Sequence, residues 1–198
     1  FLRGLLKDGT KLVGGAKLNW SITSSDGAVG GLTDTATFTD GSCGSSSTFT
    51  AKRGGTMSVR ATLEGSPSVT SECVVTINPT YSIVLTTNPA VVDNDEPSQV
   101  WAIVMDGDLP LSGRTVNWSI VSGGTGSFSV TSGVTAVDGK TSTSFTPSSS
   151  GTIRLRAELD GTGVGQEVNL LVSSVYRITL SASSGNIRNG DEITLTAL

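Results

Sequence analysis

The chain has 198 residues, a formal net charge of −4, no histidine and 15% charged residues. A net negative charge argues against nucleic acid or an anionic membrane surface as a partner, because both need a concentrated basic face. The absence of histidine excludes a Ser-His-Asp triad and a histidine metal site. Glycine, serine and threonine together make up 81 residues, a composition that favours short strands and turns over helices.

Comparison of the sequence with itself reveals an internal repeat. Three pairs of segments match at spacings of 98, 96 and 95 residues: 17–22 with 115–120, 55–65 with 151–161, and 81–85 with 176–180. The repeat predicts three modules: residues 1–78, without the first strand, residues 79–174, complete, and residues 175–198, with the first two strands only. The incomplete modules have two explanations, a window of a longer tandem array or chains that donate their first strand to the next chain.

The complete module shows apolar alternation typical of strands. Seven strands, labelled A to G, are predicted at 81–87, 99–105, 114–121, 126–131, 141–146, 152–159 and 166–172. Seven short strands in about 95 residues predict an all-β fold of tandem immunoglobulin-like (Ig-like) β-sandwich modules. Alternation along strand C directs Trp118, and Trp20 in the first repeat, into the core between the two sheets.

The pattern of turn and core residues resembles that of a known family. The residues that carry the resemblance are Asp106-Gly107, Pro110, Gly113, Val116-Asn117-Trp118, Asp138-Gly139, Ser144-Phe145-Thr146, Gly151 and Leu155-Arg156-Ala157. The sequence is similar to the bacterial Ig-like repeats of invasin and intimin type surface proteins, which also occur in bacteriophage virion proteins. This resemblance implies a fold and transfers no binding residue.

Cys43 and Cys73 are the two cysteines of the chain. Cys43 falls in the predicted D–E loop and Cys73 in strand G, and in an Ig-like sandwich this loop and the start of strand G lie at the same end. We therefore expect a disulfide between them, worth roughly 3–4 kcal/mol, and an oxidising location outside the cytoplasm. The alternative is two buried reduced thiols.

Four carboxylates fall in loops at one end of the second module. They are Asp106, Asp108, Asp138 and Asp160, and they face the E–F loop of the first module, which carries Lys52 and Arg53. One interpretation is ion pairing across the seam, which would fix the orientation of the modules. The other is a calcium site, because carboxylate oxygens are ligands that calcium prefers. No other cofactor is expected.

Trp101 lies out of register with the inward residues of strand B. If Val100, Ala102 and Val104 face the core, the Trp101 side chain points outward, where it would anchor a partner chain or a sugar ring. The alternatives are that a neighbouring loop covers it or that the strand register is slipped.

Together these features predict a non-enzymatic structural or adhesive protein, an extracellular or cell-surface stalk or filament of tandem modules. Its expected partners are neighbouring modules, identical chains in a filament, or a surface protein or glycan. The alternative is a bacteriophage virion protein, in the tail or on the capsid, that contacts the host surface.

Overall fold

The computed structural model describes residues 2–174, 180–183, 185–186, 188–189 and 194–197. Regular structure in these residues is β-strand throughout, which confirms the predicted all-β class. None of the described segments forms a helix with the length and apolarity that a membrane crossing needs.

Residues 2–77, called the first region below, contain ten strands. They are β1 Leu2–Leu5, β2 Lys7–Asp8, β3 Lys11–Leu12, β4 Lys17–Asp26, β5 Val29–Leu32, β6 Ala36–Phe38, β7 Gly44–Ser47, β8 Phe49–Arg53, β9 Gly55–Leu63 and β10 Ser66–Ile77. The main sheet has the order β10-β9-β4-β6, and the pairs β1-β7 and β5-β8 supply the opposing layer. Trp20, Met57 and Val59 are buried between the layers, with Leu2 and Phe49 packed against them.

Residues 81–173, called the second region below, also contain ten strands. They are β11 Tyr81–Asn88, β12 Val91–Asp93, β13 Ser98–Asp106, β14 Leu109–Pro110, β15 Thr115–Ser122, β16 Gly126–Phe128, β17 Ser132–Val134, β18 Lys140–Pro147, β19 Gly151–Leu159 and β20 Gly165–Ser173. One sheet has the order β11-β13-β18-β16, with β14 paired to β13, and the other has the order β12-β20-β19-β15-β17. The predicted strands A to G correspond to β11, β13, β15, β16, β18, β19 and β20.

The core of the second region closes between these two sheets. Fifteen buried apolar residues form one cluster, in which Val100, Ala102 and Val104 of β13 are fully buried. Trp118 of β15 is 4% exposed, and Trp20, at the equivalent position of β4, is 6% exposed. The alternation of inward and outward residues was therefore a sufficient guide to which face of each strand is buried.

The sequence did not predict β12, whose three residues carry no alternation. Val91 pairs with Leu171 and Val92 with Val172, in parallel, so that β12 extends the sheet beyond β20. This strand exists because the chain after β11 crosses to the other sheet, and such a crossing leaves no local signal in three residues.

The predicted third module, residues 175–198, lies in large part outside the described residues. Its described part includes β21 Leu180–Ala182 and β22 Leu195–Ala197, which pair as antiparallel strands. The division of the chain into three modules stays a prediction.

Candidate functional site

Three chain segments meet where the first region adjoins the second. They are the turn between β8 and β9, the linker between β10 and β11, and the turn after β13. Only residues 78–80 separate the last strand of the first region from the first strand of the second. So short a linker holds the two turns against each other, and this junction is the candidate functional site.

Asp106, the last residue of β13, binds both of the other segments. Its Oδ1 accepts a hydrogen bond from the backbone N–H of Thr80 at 2.8 Å, and its Oδ2 accepts one from the backbone N–H of Gly54 at 2.9 Å. The side chain is 3% exposed. A buried carboxylate is costly unless it is hydrogen-bonded, and two charge-assisted bonds offset that cost. Asp106 thus connects the two regions through the backbone of the first.

Two glycines allow the close approach of these segments. A Cβ atom on Gly54 would lie 2.6 Å from the Cα atom of Pro79. One on Gly107 would lie 2.6 Å from the carbonyl oxygen of Lys52, and the φ angle of Gly107 is also +59°. Contacts this short do not occur for real Cβ atoms, so a side chain at either position would push the regions apart.

Arg53 and Lys52 do not form the ion pairs that the sequence predicted. The Nη2 atom of Arg53 donates to the backbone carbonyl of Pro110 at 2.9 Å. Within residues 2–174, the ion pairs found include neither Arg53 nor Lys52. Asp106 of the same junction is already bound by backbone N–H groups, and Arg53 donates to a carbonyl instead.

The carboxylates proposed as calcium ligands do not converge either. The oxygens of Asp106 accept from backbone amides, Asp160 accepts from the side chain of Asn117 at 3.0 Å, and Asp138 accepts from the backbone of Lys140 at 3.1 Å. Asp108 is exposed. In the described part of the chain no three acidic or cysteine side chains are grouped so that they could hold a metal ion. Asp106, Asp138 and Asp160 thus accept hydrogen bonds in their own turns or at the junction, and the calcium site stays a prediction.

The predicted disulfide is not formed, since Cys43 and Cys73 are both free. Cys43 lies in the turn before β7, but Cys73 is not at the start of its strand. Cys73 pairs with Val59, four residues from Leu63 at the end of β9, so at about 3.3 Å per residue it lies roughly 13 Å along the sheet from the end where Cys43 sits. A disulfide requires Cα atoms within about 7 Å of each other. The alternation in the sequence does not locate the ends of β10 precisely enough to exclude the pairing.

Trp101 lies on the outer face of β13 and is 43% exposed. On this face it is paired with Thr86 of β11, and Ile103 is paired with Val84. These four side chains and Lys140 of β18 line a shallow depression of about 340 Å³. No loop within the described residues buries the indole. Its exposed surface could therefore contact another molecule.

Comparison with known protein families decides what the second region is. Residues 80–173 match the family model of the bacterial Ig-like domain, group 1. The second region is thus similar to a bacterial Ig-like domain over its whole length. This confirms the resemblance inferred from the turn and core residues. Comparison with curated protein sequences gives no match.

Solved structures of bacterial surface proteins share the Ig-like fold with this chain. Invasin, described as a bacterial integrin-binding protein, has a TM-score of 0.54 at 18% identity, over 98% of this chain and 41% of its own. The D0–D1 domains of intimin have a TM-score of 0.41 at 18% identity, over 85% of this chain and 88% of their own. Yersinia pseudotuberculosis adhesin InvE has a TM-score of 0.43 at 17% identity, over 81% of this chain and 49% of its own. This chain thus spans less than half of the solved invasin chain.

The role of Asp106 is what sequence reasoning missed at this site. The sequence identifies Asp106-Gly107 as a turn and predicts a cation or a basic side chain as the partner of the Asp106 carboxylate. The available signal was the linker of a few residues after β10, which forces the next turn of the second region against it. A buried carboxylate beside so short a linker can accept hydrogen bonds from the backbone N–H groups of the adjacent segments, as Asp106 does.

Proposed function

We propose that this protein is a non-enzymatic structural or adhesive component of a bacterial cell surface, in which Ig-like modules follow one another in a stiff stalk. The observation that carries the proposal is the buried Asp106 carboxylate, which ties the first region and the linker to the second region. The fold likeness to invasin and the match to the bacterial Ig-like family support it.

The stiffness follows from contacts on both sides of the linker. Asp106 contributes two charge-assisted hydrogen bonds, each worth about 1.5–3 kcal/mol. Arg53 adds a hydrogen bond to Pro110, and the amide of Gly107 donates to the carbonyl of Thr80 at 2.9 Å. A relative rotation of the two regions would break the hydrogen bonds of Gly54 and Arg53, which join the first region directly to the second. A stalk of such modules would keep whatever it presents at a fixed distance and orientation.

The proposed stiffness is testable by residual dipolar couplings of the 198-residue chain. We expect the couplings of the two regions to fit one common alignment tensor. Asp106→Ala should separate the tensors, because both hydrogen bonds across the junction are lost. Asp8→Ala is the matched control, since Asp8 is the equivalent aspartate of the first repeat and is exposed. Two separate tensors in the unmodified chain would overturn the stalk.

The proposed surface location has its own test. An antibody raised against the chain should label intact cells of the bacterium that produces it, and brief protease treatment of those cells should remove the label. Labelling that appears only after the cells are broken would contradict a cell-surface role.

Within this proposal, Trp101 is the residue that contacts a neighbouring copy of the chain. Its indole is exposed beside Val84, which is also exposed, on one sheet face. Sedimentation velocity over a range of chain concentrations should show weaker self-association for Trp101→Ala than for the unmodified chain. Val134→Ala, an exposed apolar residue on the other sheet, serves as control. Self-association that does not change in Trp101→Ala removes this residue from the contact.

A further inference from the structure

A cleft of about 610 Å³ lies at the junction, with one wall from each region. The first region contributes the turn around Arg53 and the end of β10, and the second contributes Tyr81 and residues 111–114. The volume falls in the range of about 300–1,000 Å³ that is usual for small-ligand sites, which often lie between domains. The cleft is therefore large enough for a small molecule and too small for a protein surface.

The cleft is positively charged although the chain as a whole is negative. Arg53 and Arg114 both line it, and Asp106 is the one acidic residue among the described residues of its walls. Both carboxylate oxygens of Asp106 already accept hydrogen bonds from backbone amides. An anion entering the cleft would meet two guanidinium groups and a carboxylate whose charge is partly compensated.

Arg53 has a donor without an acceptor. Its Nη2 atom donates to Pro110, but its Nε atom is buried and has no hydrogen-bond partner. Because the Nε atom is buried, an anion in the cleft would approach the terminal nitrogens of the guanidinium group. An oxyanion is the acceptor that a guanidinium group prefers, and a carboxylate matches its planar geometry.

The fold itself does not require these two arginines. In the internal repeat, Ala16 occupies the position of Arg114 and Ser149 that of Arg53. Arg114 is positioned by Tyr81, whose hydroxyl accepts from its Nη2 atom at 2.9 Å and whose ring lies 5.6 Å from its Cζ atom. The pair is thus particular to this junction and is held in place there.

Neutral polar side chains complete the walls. They are Thr56, Thr76, Asn78 and Ser112, and all four are exposed. Hydroxyl and amide groups donate and accept hydrogen bonds, which suits a ligand with several hydroxyls better than an acyl chain. We propose that this cleft binds a sugar acid, with its carboxylate at Arg53 and Arg114 and its hydroxyls at the four neutral polar residues.

The test is a titration of the 198-residue chain with sodium D-glucuronate, followed by amide chemical shifts. We expect shifts confined to residues 54–56, 76–78 and 111–114. D-Glucose, which lacks the carboxylate, should produce no such shifts. Sodium acetate, which lacks the ring, should bind far more weakly than glucuronate. Equal binding of glucose and glucuronate, equal binding of acetate and glucuronate, or shifts located elsewhere would each overturn the proposal.

Two arginine variants test where the carboxylate of glucuronate binds. Arg53→Gln and, separately, Arg114→Gln should each weaken glucuronate binding by roughly 10-fold to 100-fold, through loss of a charge-assisted hydrogen bond. Arg60→Gln is the matched control, because Arg60 pairs with Glu72 on the first region and does not line the cleft. If Arg53→Gln disturbs the amide spectrum, Arg114→Gln decides alone. Unchanged affinity in a folded variant contradicts the site.

This site needs the same fixed junction as the proposed stalk, because one wall of the cleft comes from each region. If glucuronate fails to bind while the two regions share one alignment tensor, the ligand site is wrong and the stalk stands. If the tensors differ, the two walls of the cleft have no fixed relation to each other, and both the ligand site and the stalk are wrong.

Discussion

The two regions follow the same repeat, yet the second closes its core and the first leaves the equivalent face half-open. Leu170 and Val172 of β20 are buried, whereas Val75 and Ile77, at the equivalent positions of β10, are only half-buried. In the second region β12 pairs with β20 and β11 packs beside it. The inward face of the last strand is thus buried by the first two strands of the module.

The largest expected effect is at the core tryptophans. Trp118→Ala should cost about 3–5 kcal/mol, because it removes the largest side chain from a closed core. Trp20→Ala should cost less, since its surroundings are already half-open and collapse more easily into the space. Native-state hydrogen exchange, which reports β19 and β9 separately, measures the two losses within one chain. Equal losses of stability in the two variants would mean that the closure of the core does not affect the cost of removing the tryptophan.

The second comparison concerns the turn before β7 in the first region and the equivalent turn before β18 in the second region. Cys43 and Gly139 occupy equivalent positions before β7 and β18, with φ angles of +62° and +74°. A Cβ atom on Gly139 would lie 2.5 Å from the carbonyl oxygen of Val104. Gly139→Ala should therefore cost about 2 kcal/mol or more, and Cys43→Gly should be neutral or stabilising by up to about 1 kcal/mol.

Thermal unfolding of both variants measures this difference, and Gly31→Ala is a suitable control. Gly31 has open space where its Cβ atom would lie and no positive φ angle. A Gly139→Ala variant as stable as the Gly31→Ala variant would show that the turn can open without cost.

A smaller effect is expected where the two tryptophans differ in their hydrogen bonds. The Nε1 atom of Trp20 donates to the Thr37 hydroxyl at 2.7 Å, whereas the Nε1 atom of Trp118 is buried without a partner. Gly133 stands at the position of Thr37, and Thr141 at that of Ser45, whose hydroxyl bonds to Thr37. The double variant Gly133→Thr with Thr141→Ser should therefore stabilise the second region by about 1 kcal/mol.

The single variants are the controls for the double variant, which is designed to give Trp118 the hydrogen bond that Trp20 makes with Thr37. Gly133→Thr alone should gain less or destabilise, because its Cβ atom would collide with the Thr141 hydroxyl. Thr37→Val should weaken the first region by about 1 kcal/mol, since it removes the acceptor and keeps the shape. Urea unfolding measures each change, and a double variant no more stable than the unmodified chain would refute the transfer.

The smallest expected effect is a difference in acid sensitivity. In the first region, the Ser42 hydroxyl and the Gly44 amide lower the pKa of Asp40, and hydrogen bonds from Arg60 and Thr23 lower the pKa of Glu72. In the second region, the Lys140 amide lowers the pKa of Asp138. A depressed folded-state pKa contributes stability above the unfolded pKa, and this contribution is lost as the pH falls through the folded-state pKa.

We therefore expect hydrogen-exchange protection to fall first in the first region as the pH drops below about 4, near the usual pKa values of 3.8 and 4.5. All three carboxylates are exposed, so the effect is small and should shrink in high salt. Asp40→Asn with Glu72→Gln should remove the difference between the regions. A second region that loses protection first would reverse the comparison.

Most strands could be predicted from the sequence because they depend on local patterns. The two-residue alternation of Val100, Ala102 and Val104 and the turns at Asp106-Gly107 and Asp138-Gly139 mark where strands begin and end. The repeat then transferred each assignment between regions. β12 and the position of Cys73 within β10 could not be predicted in this way, since the former has no alternation and the latter depends on where a long strand begins.

The sequence by itself determined the all-β class, the repeat and the inward position of Trp20 and Trp118, because side-chain alternation and turn chemistry act over a few residues. Only the tertiary structure decided the partners at the junction. Gly54, Thr80 and Asp106 lie far apart in the chain, and their contact depends on how two folded regions meet. For the same reason, the sequence could not predict that Arg53 donates to the Pro110 carbonyl or that its Nε atom has no hydrogen-bond partner. Local patterns cannot specify distances of a few ångströms between segments that only folding brings together.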